Sequence, residues 1–400
     1  MKIGLIREGK TPPDKRVALN PKQCEQLLAN YPQLEIAVQP SNIRCYSDDD
    51  YADLGISLQN NLSDCDIIFG VKEVPINYLI PNKTFFFFSH TIKEQDYNQK
   101  LIKALIKQNI QLVDYEVLTR PSGSRLIGFG RFAGIVGAYN GFLSLGKRHK
   151  SFDLKPAYAC ENKAELDREL KSVELPEAFK LVITGRGRVA LGALEIIEQL
   201  DVQKLDPEEY INYTGRKAVY CHIDTKDYAK AKDGSAFSDG EFRRHPTRFE
   251  SNFLRFAHSS DMFIAGHYYG NDAPYFFTRK QAKDPNFRIR VVADISCDIN
   301  GPVASTIKPS TIADPIYGYN PQTEKEDQFD KEEVITVMAV DNLPCELPKD
   351  ASDHFGSVLL KEIIPALLVE DPDEIIERAT ICKSGNLGSH FSYLHDYAFK

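Results

Sequence analysis

Short apolar runs alternate with amphipathic segments along most of the chain. Residues 65–71 and 84–88 are nearly continuous apolar runs of strand length, and residues 111–114 are a shorter run that predicts a further strand. A helical pattern at residues 94–107 separates the last two runs. Apolar strands separated by helices are typical of a parallel sheet that is covered on both faces. The first part of the chain therefore predicts a doubly wound α/β domain, in which ligands bind beyond the carboxyl ends of the strands.

A second pattern begins at residue 181. The apolar run 181–184 breaks at Gly185 and Gly187, and a helical apolar pattern then continues to Leu200. A strand, a glycine turn and a helix open a dinucleotide-binding βαβ unit. Gly185 permits the turn, and Gly187 lets backbone N–H groups approach a pyrophosphate at the start of the helix. Ala190 replaces the third glycine of the usual fingerprint, so an ordinary strand–helix turn is the alternative.

Further strand-like runs follow at residues 217–223, 261–265, 290–295 and 334–340. Two longer helical patterns, at residues 133–145 and 351–368, bracket this second region, and the first of them is rich in small residues that allow close helix packing. The charged run 324–333 predicts a solvated turn. We expect two α/β domains, one formed by residues 1–135 plus 345–400 and the other by residues 136–344.

The composition limits the classes of function. Of the 400 residues, 42% are hydrophobic and 26% are charged, which is typical of a globular protein with a substantial core. The net charge is −8 without a basic block, so nucleic acid is not an expected partner. No apolar run reaches the length of a membrane span, and the first residues do not form a signal peptide. The eight cysteines show no CxxC pair and the histidines no ligand spacing, so we expect reduced thiols in the cytoplasm and no metal, with a disulfide left open.

Polar residues with possible chemistry stand at the predicted strand ends. Lys72, His90 and Glu116 each follow an apolar strand. Further cations lie in the adjoining loops, among them Arg16 and Arg125, and together they suggest an anionic ligand such as a dicarboxylate. Each residue taken alone is more often structural. His90 follows a run of phenylalanines. The alternative interpretation is that it is a core histidine with satisfied hydrogen bonds.

Several stretches together identify a family resemblance. They are Lys15-Arg-Val-Ala-Leu-Asn-Pro21, Gln39-Pro-Ser-Asn42, Gly70-Val-Lys-Glu73, Phe88-Ser-His-Thr-Ile-Lys93, Val113-Asp-Tyr-Glu116, Gly128-Phe-Gly130 with Ala133-Gly134, Asp294-Ile-Ser-Cys-Asp298 and Asp341-Asn-Leu-Pro344. With these stretches the chain resembles the lysine-forming saccharopine dehydrogenase branch of the family that also holds alanine dehydrogenase and the transhydrogenase alpha chain. The likeness extends from residue 3 to about residue 365.

The resemblance implies a fold, a reaction and a set of site residues. The fold is two Rossmann-like doubly wound parallel-sheet domains with the active site in the cleft between them. The reaction interconverts saccharopine, NAD(P)⁺ and water with lysine, 2-oxoglutarate and NAD(P)H. The acid–base pair falls on Lys72 and His90. The positions that bind the substrate or tune the pair are Arg16, Lys93, Arg125, Glu73 and Glu116. Burial and the nearby charges of Arg16 and Lys93 are expected to lower the pKa of Lys72.

The expected cofactor is NAD, with NADP not excluded. The acidic residue that usually reads the adenosine ribose stands about 20 residues after the glycine turn. Here His222 occupies the end of the second strand, and Asp224 follows much further along the chain than usual. Asp224 favours NAD, whereas Lys217, Lys226, Lys230 and Lys232 offer charge for a 2′-phosphate. The full set of expected cofactor contacts is Gly185, Gly187, Arg188, Val189, His222, Asp224, Asp298, Asn342 and Leu343.

Two other functions stay open. An alanine dehydrogenase-like enzyme would act on a smaller amino acid, and a non-catalytic NAD(H)-binding subunit would resemble a transhydrogenase component. Lys93, Glu116 and Arg125 favour the larger dicarboxylic substrate. The expected partners are small molecules only, and the expected assembly is a monomer or a small homo-oligomer.

Overall fold

The computed structural model describes residues 1–270 and 272–400. The chain divides into two compact units, which we call unit 1 (residues 1–129 and 348–400) and unit 2 (residues 130–347). Each unit contains one sheet of eight strands.

The strands are numbered in chain order. They are β1 Lys2–Leu5, β2 Glu35–Val38, β3 Ser57–Leu58, β4 Ile67–Phe69, β5 Thr84–Phe87, β6 Gln111–Asp114, β7 Lys180–Thr184, β8 Gln203–Lys204, β9 Val219–Ile223, β10 Ala229–Ala231, β11 Phe249–Ser251, β12 Met262–Ala265, β13 Val291–Asp294, β14 Ile316–Asn320, β15 Lys325–Asp327, β16 Ile335–Met338, β17 Thr380–Lys383 and β18 Asn386–Leu387.

The α-helices are numbered in the same way. They are α1 Pro21–Asn30, α2 Asp48–Ala52, α3 Asp96–Lys107, α4 Gly130–His149, α5 Lys163–Glu169, α6 Arg188–Ile197, α7 Pro207–Asn212, α8 Thr225–Tyr228, α9 Asp239–Arg244, α10 Leu254–Ala257, α11 Arg279–Ala282, α12 Pro348–Val358, α13 Ile364–Leu368, α14 Ile375–Arg378 and α15 His395–Phe399.

The sheet of unit 1 has the order β18-β17-β6-β5-β4-β1-β2-β3. The strands from β6 to β3 in this order are parallel, whereas β17 is antiparallel to β6 and β18 is antiparallel to β17. The two antiparallel strands lie after residue 368, where the last predicted helix ends, in a part of the chain for which the sequence predicts no element. Most of β17 is buried, so it covers the edge that β6 would otherwise expose.

The sheet of unit 2 has the order β15-β14-β16-β13-β12-β7-β9-β8. The strands from β16 to β8 in this order are parallel. β14 and β15 are antiparallel and form one edge of the sheet. The predicted turn at residues 324–333 is therefore wrong in part, because β15 lies within it. Its charged residues are largely exposed at the sheet edge, so no apolar alternation marks the strand. Both sheets are mostly parallel, which confirms the predicted fold class.

Helices α4 and α6 pack backbone against backbone in unit 2. A Cβ atom on Gly134 of α4 would lie 1.9 Å from the carbonyl oxygen of Val189. A Cβ atom on Gly192 of α6 would lie 2.0 Å from the carbonyl oxygen of Arg131. Real Cβ atoms cannot approach a carbonyl so closely, so only glycine fits at either place. The close packing predicted for this small-residue helix is confirmed.

The predicted helix at residues 351–368 changes its winding. It runs as α12, then as a π-helical segment at Leu359–Ile363, then as α13. Pro365 in α13 has no N–H group, and its ring would clash with the carbonyl four residues earlier in a regular α-helix. The wider π turn accommodates this misfit without ending the helix.

Candidate functional site

Lys72 and His90 follow two neighbouring strands of unit 1. β4 and β5 are parallel, with Phe69 paired to Phe86 in register. Because both residues come just after these strands, they lie at the same edge of the sheet. The expectation that the two strands are neighbours is confirmed.

Glu8 holds the backbone at Lys72. One carboxylate oxygen of Glu8 accepts the N–H of Val71 at 2.7 Å, and the other accepts the N–H of Lys72 at 2.9 Å. Burial and the charge of Asp14 raise the pKa of Glu8 to about 8, although these hydrogen bonds oppose the rise. Sequence reasoning missed Glu8. The sequence signal that could have identified Glu8 is its position after β1, because β1 pairs with β4.

The surroundings of Lys72 favour its neutral form. Burial lowers the pKa of Lys72, and the positive charges of Arg16 and Lys10 lower it further. The charges of Glu73 and Asp14 oppose these effects. The sequence-based expectation named Lys93 as the second cation, but Lys10 takes that place in the structure. An amine with a lowered pKa is neutral more often near neutral pH and can then accept a proton.

Glu73 connects His90 with Lys10. The Nδ1 atom of His90 lies 2.5 Å from one carboxylate oxygen of Glu73, and the Nζ atom of Lys10 lies 3.1 Å from the other. Burial alone would raise the pKa of Glu73, but the hydrogen bond and charge of His90, with Lys10, lower it to about 2. Glu73 is therefore ionised at neutral pH and orients the imidazole ring. The His90 side chain keeps 18% of its surface exposed, so it differs from an enclosed core histidine.

Arg16 is enclosed rather than open to solvent. Its Nε atom donates to one carboxylate oxygen of Asp14 at 3.0 Å, and a terminal nitrogen donates to the other at 2.6 Å. The guanidinium also lies 4.1 Å from the centre of the Phe129 ring. Arg16 is only 2% exposed. A substrate carboxylate would have to compete with Asp14 for this arginine.

Lys93, Arg125 and Glu116 form a separate cluster at the same edge. The Nζ atom of Lys93 and a terminal nitrogen of Arg125 lie 3.4 Å and 3.3 Å from the same oxygen of Glu116. The other carboxylate oxygen of Glu116 is buried and accepts no hydrogen bond from the described residues. Two half-exposed cations facing one carboxylate leave a net positive charge at this point, which suits an additional anionic group.

Asp114 connects this cluster to the loop that carries His90. It ends β6, and one of its oxygens accepts the N–H and the hydroxyl of Ser89 at 3.1 Å and 2.5 Å. Its other oxygen accepts the N–H of Glu116 at 2.7 Å. Burial raises the pKa of Asp114. Sequence reasoning included Asp114 in a strand and gave it no role.

The glycine turn of unit 2 leaves open space at the start of α6. Gly185 has a φ of +108°, and a Cβ atom there would lie 2.4 Å from the carbonyl oxygen of Gly266. Gly187 is the N-cap of α6, and the space where its Cβ would stand is open to 4 Å. Arg188 and Val189 form the first turn of α6. The open space lies at the helix N-terminus, where backbone N–H groups attract an anion.

His222 and Asp224 lie beside this turn. The Nε2 atom of His222 lies 2.6 Å from the carbonyl oxygen of Gly185, so it donates to the turn and is engaged within the protein. A carboxylate oxygen of Asp224 accepts the N–H of Thr225 at 2.6 Å and lies 2.9 Å from the Nε atom of Arg186. Asp224 thus directly follows β9, and it contacts Arg186, an arginine that sequence reasoning missed.

A pocket of about 200 Å³ opens next to Asp224, between the residues that follow β9 and β12. Thr225, Tyr228, Tyr269 and Phe276 are among its lining residues, together with the buried His267. Burial lowers the pKa of His267 to about 3, and its Nε2 atom has no hydrogen-bond partner among the described residues. The pocket suits a flat, partly polar ring. The sequence contains no motif that indicates it.

The three expected contacts from later loops differ in their surroundings. Asp298 lies in the loop after β13, which the buried Asp294 holds by accepting the N–H groups of Ser296 and Cys297. The side-chain amide of Asn342 donates to the Sγ atom of Cys345 at 2.8 Å. Leu343 is 1% exposed and belongs to the core of unit 2, which argues for a structural role.

Other kinds of site find little support in the described residues. No group of three or more His, Cys, Asp or Glu side chains there is placed to hold a metal ion. No helix among them is both long and apolar enough to cross a membrane. All eight cysteines are free thiols.

Known proteins resemble this chain in sequence. Residues 4–136 match the family model described as the N-terminal domain of alanine dehydrogenase/PNT. The chain is 29% identical over 440 aligned positions to an α-aminoadipic semialdehyde synthase of Arabidopsis thaliana, covering 98% of this chain and 41% of that protein. It is 25% identical to an NAD(+), L-lysine-forming saccharopine dehydrogenase of Emericella nidulans, covering 91% of each. The chain thus spans less than half the length of the plant relative.

The fold also has a solved counterpart. An L-alanine dehydrogenase structure aligns over 100% of both chains with a TM-score of 0.66 and 16% identity, which shows a shared fold. These findings confirm the resemblance that the motifs indicate: residues 4–136 match the alanine dehydrogenase/PNT N-terminal domain, and nearly the whole chain is similar to lysine-forming saccharopine dehydrogenases and α-aminoadipic semialdehyde synthases.

Proposed function

We propose that this protein interconverts saccharopine and water with L-lysine and 2-oxoglutarate, using a nicotinamide dinucleotide. The observation that carries the proposal lies at the ends of β4 and β5. There the chain places a lysine with a lowered pKa and a histidine that is hydrogen-bonded to an ionised glutamate. The printed names of the plant and fungal relatives support the choice of substrate.

The reaction needs both a base and an acid. Saccharopine is a secondary amine that joins lysine to the α-carbon of a glutarate. A bound nicotinamide ring would supply the acceptor for the hydride that leaves that carbon. Oxidation leaves an imine on the substrate, which water then converts to the two products, and each step moves a proton at one carbon–nitrogen centre. Neutral Lys72 accepts the proton of the substrate nitrogen, and His90, oriented by Glu73, moves protons to and from the oxygen that water contributes.

The cluster of Lys93, Arg125 and Glu116 supplies the substrate-binding charge in this proposal. Its net positive charge suits a carboxylate of the glutarate skeleton, and its two cations are accessible, with 49% and 43% of their side-chain surfaces exposed. Arg16 acts through its charge on Lys72, because its guanidinium is already paired with Asp14. These roles support a dicarboxylic substrate rather than a small neutral side chain.

The glycine turn of unit 2 binds the dinucleotide in this proposal, and Asp224 favours NAD. Replacing Gly187 with aspartate tests the assignment. Aspartate is a favourable N-cap, so α6 should remain folded and the urea midpoint of unfolding should not fall. Its charge would repel a pyrophosphate, so the Kd for NADH in a fluorescence titration should rise about tenfold or more. Gly187→Ser is the uncharged control. An unchanged Kd in the aspartate variant would place the dinucleotide elsewhere.

The runner-up is an alanine dehydrogenase-like activity, which the match at residues 4–136 favours. One assay separates the two enzymes: oxidation of NADH with lysine plus 2-oxoglutarate, beside the same measurement with pyruvate plus ammonium. We expect turnover only with the first pair, because Lys93 and Arg125 provide charge for a second carboxylate.

Turnover only with pyruvate plus ammonium would establish the alanine dehydrogenase-like activity. NADH binding without turnover of either pair would establish a non-catalytic dinucleotide-binding protein. Each reaction is also measured with the Lys72→Met variant, since contaminating activity would persist in it.

We further propose that the enzyme works in the cytoplasm. The free thiols support a reducing compartment, since disulfides form and persist mainly in oxidising ones. Fluorescence microscopy of the tagged full chain tests this location.

A further inference from the structure

Asp224 belongs to a cluster of three charged side chains at the glycine turn. The Nε atom of Arg186 lies 2.9 Å from Asp224, and its terminal nitrogens donate to the two carboxylate oxygens of Asp239 at 3.0 Å and 3.5 Å. We propose that Asp239 is a specificity-determining residue: by engaging Arg186 beside Asp224, it makes unit 2 prefer dinucleotides without a 2′-phosphate. This inference rests on the proposed dinucleotide binding at the glycine turn.

The sheet register places the cluster where the adenosine ribose is read. Ile223, the last residue of β9, pairs with Thr184, the last residue of β7. Asp224 therefore stands beside Gly185, and Arg186 is the residue between the two glycines of the turn. In this fold the acid after the second strand faces the ribose hydroxyls. A phosphate on the 2′-hydroxyl would consequently approach the carboxylates of both Asp224 and Asp239.

Arg186 is the side chain that would otherwise accept this phosphate. A guanidinium binds phosphate through paired N–H donors in a fixed planar arrangement. Here Nε is directed at Asp224 and both terminal nitrogens are directed at Asp239, so the group is committed to two acids. The two carboxylates together with Arg186 have a formal charge of −1, which repels a phosphate dianion.

Most of the lysines that could compensate are occupied or remote. Lys230 pairs with Glu250 at 3.1 Å, and Lys232 donates to the carbonyl of Thr247 at 2.8 Å. Lys217 precedes β9, at the opposite end of the strand from Asp224. Lys226, the remaining lysine of this set, is exposed on α8. In this proposal the preference at the ribose position is set by Asp224, Arg186 and Asp239.

The experiment is calorimetric titration of the full chain with ADP-ribose and with its 2′-phosphorylated form. Both probes lack nicotinamide, so the readout is independent of turnover. The wild type should bind ADP-ribose more tightly. Asp239→Asn should tighten binding of the 2′-phosphorylated probe about tenfold or more, because a charge-assisted contact to Arg186 becomes available. Binding of ADP-ribose should change little, and the gain should disappear in the Asp239→Asn/Arg186→Met double variant.

Glu250→Gln is the matched control, since it removes an acid that pairs with Lys230 and not with Arg186. An equal gain in this variant would assign phosphate recognition to the lysines and overturn the proposal. Equal binding of the two probes by the wild type would also overturn it. Absence of binding by both probes would overturn the dinucleotide assignment itself, which separates that failure from a failure of the specificity argument.

Discussion

Replacing Lys72 with methionine should lower kcat for saccharopine oxidation by about 10²–10⁴-fold, the usual contribution of a general base. Methionine keeps the length of the side chain but cannot accept a proton. The Kd for NADH should change little, because the proposed dinucleotide contacts lie in unit 2. His90→Gln should act in the same direction. The double variant should lose less than the product of the two effects if both residues serve the same proton transfers.

The pH profile gives this prediction a second readout. A lysine is a base only when it is neutral, so the rate should rise with pH through the pKa of Lys72. Burial and the charges of Arg16 and Lys10 lower that pKa from 10.5, so the rise should come at a lower pH than for an ordinary lysine. Lys10→Met removes one lowering charge and should move the rise to higher pH.

Lys22→Met is the control, since Lys22 is an exposed lysine on α1. It should match the wild type in both kcat and pH profile. A Lys72→Met enzyme with near wild-type kcat would instead show that Lys72 is structural and that another group is the base.

Replacing Gly134 with alanine should destabilise the protein by about 1–3 kcal/mol or more, the usual cost of overpacking. The new Cβ atom would stand 1.9 Å from the carbonyl oxygen of Val189 and 2.7 Å from the amide nitrogen of Ala193. Both contacts are backbone atoms of α6, so no side-chain rotation relieves them. The two helices would have to separate, and the midpoint of urea unfolding should fall.

Gly240→Ala provides the matched control. Gly240 lies in α9, and the nearest heavy atom to its added Cβ would be 3.7 Å away, at the end of the Arg244 side chain. Alanine is a better helix former than glycine, so this variant should be as stable as the wild type or more stable by about 0.4–1 kcal/mol. Equal midpoints for Gly134→Ala and the wild type would mean that α4 and α6 do not need their close approach.

Much of the fold could be predicted because it is encoded by local patterns. The run 111–114 is β6 itself, and β4, β5, β12, β13 and β16 lie inside their predicted apolar runs. Buried parallel strands consist of consecutive apolar residues, so each is visible without knowledge of its neighbours. The edge strands β15 and β18 were missed, as was β17 between β18 and β6, because the partner strand rather than their own composition makes them strands.

The residues of the candidate site likewise divide into those that the sequence indicates and those that it does not. Lys72, His90 and the glycine turn follow strand ends, where the parallel topology collects functional groups, so the chain order alone indicates them. Glu8 and Asp114 did not emerge, and Lys10 was one loop cation among several with no role of its own, because each acts through a contact with a residue distant in the chain. Charge and burial at one position depend on every neighbour in space, and a linear pattern does not contain those neighbours.

The sequence by itself determined the class of fold, the position of the glycine turn and the residues at the strand ends, since these follow from short-range periodicity and residue type. The tertiary structure alone decided which charges meet: Arg16 with Asp14, Glu73 with His90 and Lys10, and Arg186 with Asp224 and Asp239. Electrostatic interactions act over a few ångströms in space whatever the separation in sequence. The pKa of Lys72 and the charge around the glycine turn are therefore properties of the folded chain.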